Sequence, residues 1–456
     1  MILYRGELME DSRQEELLAS LETDLYAPLR RGDRLEQETV IRAFDALARR
    51  VLEGQFDGIV RPLLETFGIG DGQFREMARL FCREGLERKC ALELSDPPVL
   101  LEGNVLRERR PLGVLLHIAA GNVDALPAYS VAEGLLAGNV NILKLPMGDS
   151  GLSVRLLHEL VRTEPRLGDY IYVFDVPSLE TETLRRLAKL ADGVAVWGGD
   201  AAAEAARRLA EVDTRLILWG HKLSFAYAEP DAEDAALSAL ARSVCQTEQL
   251  LCSSCQGIFL DTEDPEVQRA FGERFFPIFR EASRRAGLPD FGMRAKNAVS
   301  LYTERLEGRT GLYSGDGVTL RLLEGEDLEL SWLYRDLWVK RLPLARLYEL
   351  RRYKGHLQTA AVLAPDPEKR REIRRILADA GVCRITGPGN MSRAVCGEAH
   401  DGLYPLREYT RITETELTAE EAAAWKRSGK AWVPGSAMWK AGTEKPGAPW
   451  TGIFPG

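Results

Sequence analysis

The chain has 456 residues, 45% of them hydrophobic and 28% charged, and carries a net charge of −9. That composition supports two or three packed domains and excludes a mainly disordered chain. The acidic balance, with Arg and Lys scattered rather than clustered, argues against a nucleic-acid or anionic-membrane surface and leaves a small-molecule enzyme or a protein partner.

The start, Met1-Ile2-Leu3-Tyr4-Arg5-Gly6-Glu7, has no basic leader, and no run of about 18 apolar residues occurs in the chain. The expectation is a soluble cytoplasmic protein without membrane insertion. Seven cysteines spread over a long chain fit reduced thiols better than a disulfide framework.

Residues 10–92 place apolar side chains at helical spacing: Leu17, Leu18 and Leu21, then Val40, Ile41, Phe44, Leu47, Ala48 and Val51. They predict an N-terminal helical region, residues 1–110, interrupted at Pro97-Pro98 and packed on the domain next in the chain. From about 112 the pattern becomes short apolar runs alternating with amphipathic ones. Strands are predicted at Gly113 to Ile118, Val140 to Leu145, Tyr170 to Phe174, Gly193 to Trp197 and Thr214 to Leu218. Helices are predicted at roughly 124–137, 150–162, 178–191 and 200–212. Such alternation means an α/β fold with a parallel sheet covered on both faces, which binds ligands at the carboxyl ends of its strands. This is the expected cofactor domain, 111–228. A second α/β unit, 229–411, is read from a helix near Asp231 to Ser243, a strand at 257–260, a helix at 265–286, the strand-like Ala360 to Leu363 and a helix at 367–380. The tail, 412–456, holds four of the eight tryptophans, Trp425, Trp432, Trp439 and Trp450. It reads either as packing across the protein's own interfaces or as a contact surface for a partner.

The segment Glu248-Gln249-Leu250-Leu251-Cys252-Ser253-Ser254-Cys255-Gln256 sets a cysteine in a polar loop between a helix and an apolar strand. There a thiol can meet a substrate, and Cys252 is the candidate nucleophile. Cys255 makes a Cys-x-x-Cys pair with it, but no second Cys/His pair at ligand spacing exists, so no metal site is expected. Cys245, on the preceding helical face, reads as core. No G-x-G-x-x-G follows any strand. The strand ends His117 to Asn122, Asn141 to Pro146 and Val194 to Asp200 instead carry small, amide or cationic groups. Gly198-Gly199 opens a helix whose amides suit a phosphate, although such turns need glycine in any case. Asn122 at a strand end suits either an oxyanion or a helix N-cap. Of the five histidines, His221 and His400 lie in glycine-containing turns, where either a functional or a structural role is open.

Together, Gln249-x-x-Cys252-Ser253-Ser254-x-Gln256, Leu357-Gln358-Thr359, Gly389-Asn390-Met391-Ser392-Arg393 and His400-Asp401-Gly402 resemble the LuxC-type acyl-CoA reductases of the aldehyde dehydrogenase superfamily, from about Pro111 to Arg411. The resemblance implies an aldehyde dehydrogenase-like fold with the active site between a cofactor and a catalytic domain. It implies that Cys252 takes the acyl group, that Asn122 holds the oxyanion, that Lys144 contacts the adenosine ribose, and that Gln358 lies near the nicotinamide end. It further implies an acyl-CoA or acyl-carrier substrate, an acyl-protein synthetase partner and a homo-oligomer. The family pattern has Pro at the position of Cys255, which makes Cys252–Cys255 oxidation an open question, and the tail after Ile412 has no counterpart in it.

Two absences refine this expectation. Hydrolytic members of the superfamily carry a water-activating glutamate where this chain has Leu218, so a thioester intermediate would survive to meet a hydride. A ribose-binding glutamate that disfavours a 2′-phosphate falls where this chain has Met147, so NADPH is favoured, with NADH admissible. The reading is NADPH-dependent reduction of an acyl thioester to the aldehyde. The rivals are a CoA-acylating short-chain aldehyde dehydrogenase and a non-catalytic assembly subunit on the same fold.

Overall fold

The computed structural model describes residues 1–33, 35–66, 71–119, 126–147, 151–287, 289, 291–393 and 395–431. Two seven-stranded sheets and a small three-stranded one organise the chain. In the first sheet the parallel strands run in the order Ile171–Phe174, Val140–Lys144, Val114–Ile118, Gly193–Trp197 and Arg215–Trp219. The five parallel strands start in the middle, at Val114–Ile118, and wind outward both ways, so the crest beside that strand is a topological switch point. The expected strands are present within a residue or two. The intervening helices are Leu126–Leu136, Leu152–Thr163, Thr181–Lys189 and Asp200–Leu209.

The N-terminal region is helical over Gln14–Arg31 and Gln37–Leu52, which bury their apolar faces in the same core as the first sheet. Its first nine residues are not. Ile2–Tyr4 lies antiparallel on Ile171–Phe174 and turns through Arg5-Gly6 into Glu7–Met9. The expected boundaries at 110/111 and 411/412 also fall inside paired strands, since Val105–Pro111 and Thr410–Glu416 are antiparallel neighbours in the three-stranded sheet.

The second sheet has the order Leu312–Gly315, Val318–Leu322, Asp336–Arg341, Cys255–Leu260, Leu223–Ala228, Leu357–Leu363 and Arg384–Thr386. All pairs are parallel except the first. The helices Asp234–Thr247, Pro265–Ala286 and Pro367–Ala380 cover it. The last two start as the sequence dictates: Asp264 accepts from Glu266 N–H and Asp366 from Lys369 N–H, and proline takes the first helical position. Gly257 sits under the Trp338 indole, where a Cβ would overlap the ring. Gly257→Ala should therefore cost about 1–3 kcal/mol by overpacking, read as a lowered denaturation midpoint; an unchanged midpoint would show that the indole shifts freely. Among the described residues no helix is long and apolar enough to cross a membrane.

Candidate active site

The amino ends of the strands Leu223–Ala228, Cys255–Leu260 and Leu357–Leu363 carry Ser224, the cysteine loop and Gln358. Opposite them stand Trp197 and Trp219, the last residues of two strands of the first sheet. The loop is rigid for reasons its polar composition conceals. The helix Asp234–Thr247 ends in two left-handed residues, Glu248 (φ 49°) and Gln249 (φ 63°), each costing about 1–2 kcal/mol. Buried amides hold that turn. Gln249 Nε2 donates to the carbonyls of Cys255 (2.9 Å) and Asp336 (2.6 Å), and Gln249 Oε1 accepts from Asp336 N–H (3.0 Å). Gln256 Oε1 accepts from the Ser331 hydroxyl at 2.8 Å. Ser224 Oγ donates to Cys252 O (2.7 Å) and accepts from Thr359 N–H (3.0 Å), which ties all three strand starts together. Gln249, Gln256 and Ser224 build the site, although in the sequence they figure only as motif positions or strand residues. Their amide and hydroxyl chemistry beside a loop cysteine was the available signal.

Cys252 is exposed to solvent. Protein nonetheless crowds its sulfur, and this desolvation raises the thiol above its ordinary range, aided by the charge of Asp401. Opposing it are the Gln358 side chain, whose Nε2 lies 3.1 Å from Sγ, and the backbone N–H groups of Cys252 and Ser253. Cys255 is different: fully buried, it donates to Gly257 O and is pushed up to about 12 by burial. It packs in the core of the second sheet, so it is neither a rival nucleophile nor placed for ready oxidation with Cys252. Cys245 is buried in the same core.

Gln358 Nε2 also donates to Asp401 Oδ1 at 2.7 Å. Gln358 thus lies directly against the Cys252 sulfur. His400, next to Asp401, packs on Trp197 and Trp219 with ring centroids 4.8 and 5.0 Å away, so one turn links the thiol to the crest of the first sheet. Lys144 ends the strand Val140–Lys144, buried, with Nζ donating to Ser178 Oγ at 2.9 Å; burial lowers its pKa, and the Asp175 carboxylate pulls the other way. Gly198 and Gly199 open the helix Asp200–Leu209 at the next crest position. Asn122 lies outside the described residues, as do Trp432, Trp439 and Trp450. Leu218 pairs with Val196 and packs on the first core. His117 is fully buried between Ser130 and Asn141, held near pH 4 by desolvation, and hence neutral and structural. His221 is exposed, its carbonyl against the His356 ring.

Two wound sheets whose strand ends are linked through the His400-Asp401 turn, with a thiol beside it, define an aldehyde dehydrogenase-like fold. The NAD-dependent aldehyde dehydrogenase of Sinorhizobium meliloti superposes with a TM-score of 0.68 at 17% identity, covering 92% of this chain and 94% of that one. The NADP-dependent glyceraldehyde-3-phosphate dehydrogenase of Bacillus halodurans gives 0.70 at 17%, covering 91% and 99%. Within that fold, the chain belongs to the acyl-CoA reductase (LuxC) family, whose model matches residues 64–412, and it is thereby an oxidoreductase of the acyl-reductase class. It is 24% identical over 340 residues to the long-chain acyl-protein thioester reductase of Aliivibrio fischeri, covering 70% of this chain and 67% of that protein. Against the protein of the same description from Vibrio harveyi it is 26% identical over 323 residues, covering 67% and 65%. The matches thus span about two thirds of the relatives' length.

Proposed function

We propose that the protein reduces an acyl thioester, carried on CoA or on a protein, to the aldehyde by way of an acyl group on Cys252, with NADPH as reductant. The observation that carries this reading is the exposed Cys252 with a side-chain N–H donor 3.1 Å from its sulfur, at the amino ends of central strands of the second sheet. The acyl-protein thioester reductases among its relatives support the substrate class.

The crest of the first sheet suits a nicotinamide dinucleotide. Lys144 is a buried cation bonded to a hydroxyl, which a polar or anionic ligand group would complete. Gly199 leaves open space where a Cβ would stand. Gln358 Oε1 is buried without a partner. Lys144, Gly198 and Gly199 would hold the dinucleotide, and Gln358 would lie at its nicotinamide end. When bound, this cofactor supplies a hydride to the acyl carbon.

The Cys252 thiolate adds to the thioester carbonyl, with Asn122 and backbone N–H groups stabilising the oxyanion. The bond to the carrier sulfur breaks, its electron pair leaves with that sulfur, and a proton from solvent neutralises it. Leu218 offers no base to activate water, so the acyl group stays on Cys252. Once the acyl carbon is reduced, Cys252 holds it as a thiohemiacetal. Loss of the hydroxyl proton and cleavage of the C–S bond release the aldehyde and return the thiolate.

Incubation with a radiolabelled long-chain acyl-CoA, followed by digestion and mapping, should place the label on Cys252, and NADPH should chase it into aldehyde. Label on another residue, or release as free acid, overturns the reading. Asn122→Ala should slow acylation about 100-fold, measured as the rate of label uptake; unchanged uptake removes Asn122 from the mechanism. Asp175, the carboxylate beside Lys144, makes the NADPH-to-NADH ratio in the chase the measure of cofactor choice.

A further inference from the structure

We propose that Asp401 is a positioning residue that locks the Gln358 carboxamide with its NH2 group on Cys252, making Gln358 a catalytic hydrogen-bond donor to the thiolate. The inference rests on Cys252 being the nucleophile and goes beyond that reading by stating what holds the thiolate in place.

A carboxamide has two ends of similar shape and opposite hydrogen-bonding character, so its direction is set by its partners. Gln358 is more than nine-tenths buried, and its Oε1 has no partner. Its Nε2 has two, Cys252 Sγ at 3.1 Å and Asp401 Oδ1 at 2.7 Å. An ionised carboxylate only accepts. Rotating the amide would set Oε1 against both the carboxylate and the thiolate, two repulsive contacts in a desolvated place. The two amide hydrogens therefore serve Asp401 and the sulfur together.

The carboxylate is itself fixed. Its side chain is 5% exposed, and His400 Nε2 lies 3.8 Å away. The His400 ring is packed on Trp197 and Trp219. Asp401 and Gly402 are both left-handed, with φ of 49° and 83°. The turn is closed by His400 and Leu403, whose backbone groups exchange hydrogen bonds at 2.8 Å. The other groups facing the turn are Cys383, beside Gly402, together with Lys222 and Lys89, whose charges reach His400.

Asp401 acts on the thiolate in two opposite ways, which makes the idea testable. Its charge repels the thiolate, and its anchoring of Gln358 supplies a hydrogen bond. A hydrogen bond to a charged group is worth roughly 10-fold to 100-fold in an equilibrium. In the full-length protein, the pH profile of Cys252 alkylation by iodoacetamide reads thiolate formation, and acyl-CoA labelling reads acylation. Gln358→Leu should move the alkylation profile up by about one pH unit or more and slow acylation at neutral pH at least about 10-fold. Asp401→Asn keeps an oxygen that can accept from Gln358 and removes the charge, so its profile should stay at or below the wild-type position. Asp401→Ala loses the anchor, and its profile should move up, as in Gln358→Leu, although a negative charge has gone. The double variant Gln358→Leu/Asp401→Ala should match Asp401→Ala alone, because the amide donor and the repelling charge are lost in both. A downward shift in Asp401→Ala, or additive effects in the double variant, overturns the proposal. Should Asp401→Ala not fold by circular dichroism, Asp401→Asn decides: an upward shift there is the overturning result. Label mapping to Cys252 in the wild type separates this failure from failure of the parent reading.

Discussion

Replacing Lys89 with methionine is expected to destabilise the protein by about 3–5 kcal/mol, the range for stripping a buried charge cluster of its partner. Lys89 Nζ lies 2.6 Å from Glu93 and 2.9 Å from Glu133, and all three side chains are almost fully buried. Glu93 is further held by Leu406 N–H at 2.8 Å, whereas Glu133 Oε2 has no partner. The cluster joins the helix Arg83–Glu93 to Leu126–Leu136 and to the segment leading into Thr410–Glu416. Burial already raises the pKa of both carboxyls, and Lys89 opposes the rise. Without the lysine the rise grows. A group with a raised native pKa is stabilising below its unfolded pKa and loses that contribution as pH increases through the native value. The defect should therefore be largest at neutral and alkaline pH and shrink as pH falls toward the carboxylate range. Urea denaturation at pH 5.5 and pH 8 tests this, and Lys89→Met combined with Glu133→Gln should recover part of the loss. A defect below about 1 kcal/mol, or one that grows on acidification, would show that water compensates the cluster.

The wound sheet was legible because fully buried parallel strands appear as uninterrupted apolar runs between glycine, proline and aspartate, as in Gly193 to Trp197. Pro265–Ala286 and Pro367–Ala380 were legible from Asp-Pro starts. Ile2–Tyr4 was not, since three apolar residues ahead of Arg5-Gly6 become a strand only by docking on Ile171–Phe174. Cys252 is a candidate nucleophile by its neighbours in sequence, but its hydrogen-bonding partners were not legible there. Gln358 is 106 positions from Cys252, and Asp401 a further 43, distances that no periodicity spans. The polarity of the cysteine loop was informative for Cys252 and misleading for Gln249 and Gln256, which are buried because their amides replace the backbone partners of a turn. His400 stood out as a turn histidine; that its ring meets two strand-end tryptophans is a property of the tertiary fold alone.

Cys252→Ser is expected to abolish thioester reduction, by at least about 10⁴-fold, since removing a nucleophile elsewhere costs up to about 10⁶-fold in kcat. Serine preserves the shape of the side chain, so folding and ligand binding should persist; the loss comes from acidity. A hydroxyl needs a base, and among the described residues no carboxylate or imidazole hydrogen-bonds the Cys252 side chain. Among the described residues, the side-chain partner of Cys252 Sγ is the Gln358 amide, which donates. His400 meets Asp401 rather than the sulfur, and Leu218 packs on the first core. The enzyme must therefore rely on the thiol's own ionisation, which burial holds above its ordinary range. Wild-type acylation should accordingly keep rising with pH beyond the ordinary thiol range, each pH unit below the pKa costing about 10-fold in thiolate. Single-turnover aldehyde formation from acyl-CoA between pH 6 and 10 measures both effects. Cys255→Ser and Cys383→Ser should stay within about 3-fold of wild type, since neither thiol touches the sulfur of Cys252. More than a hundredth of wild-type activity in Cys252→Ser, or a flat pH profile, would mean that another group attacks the carbonyl.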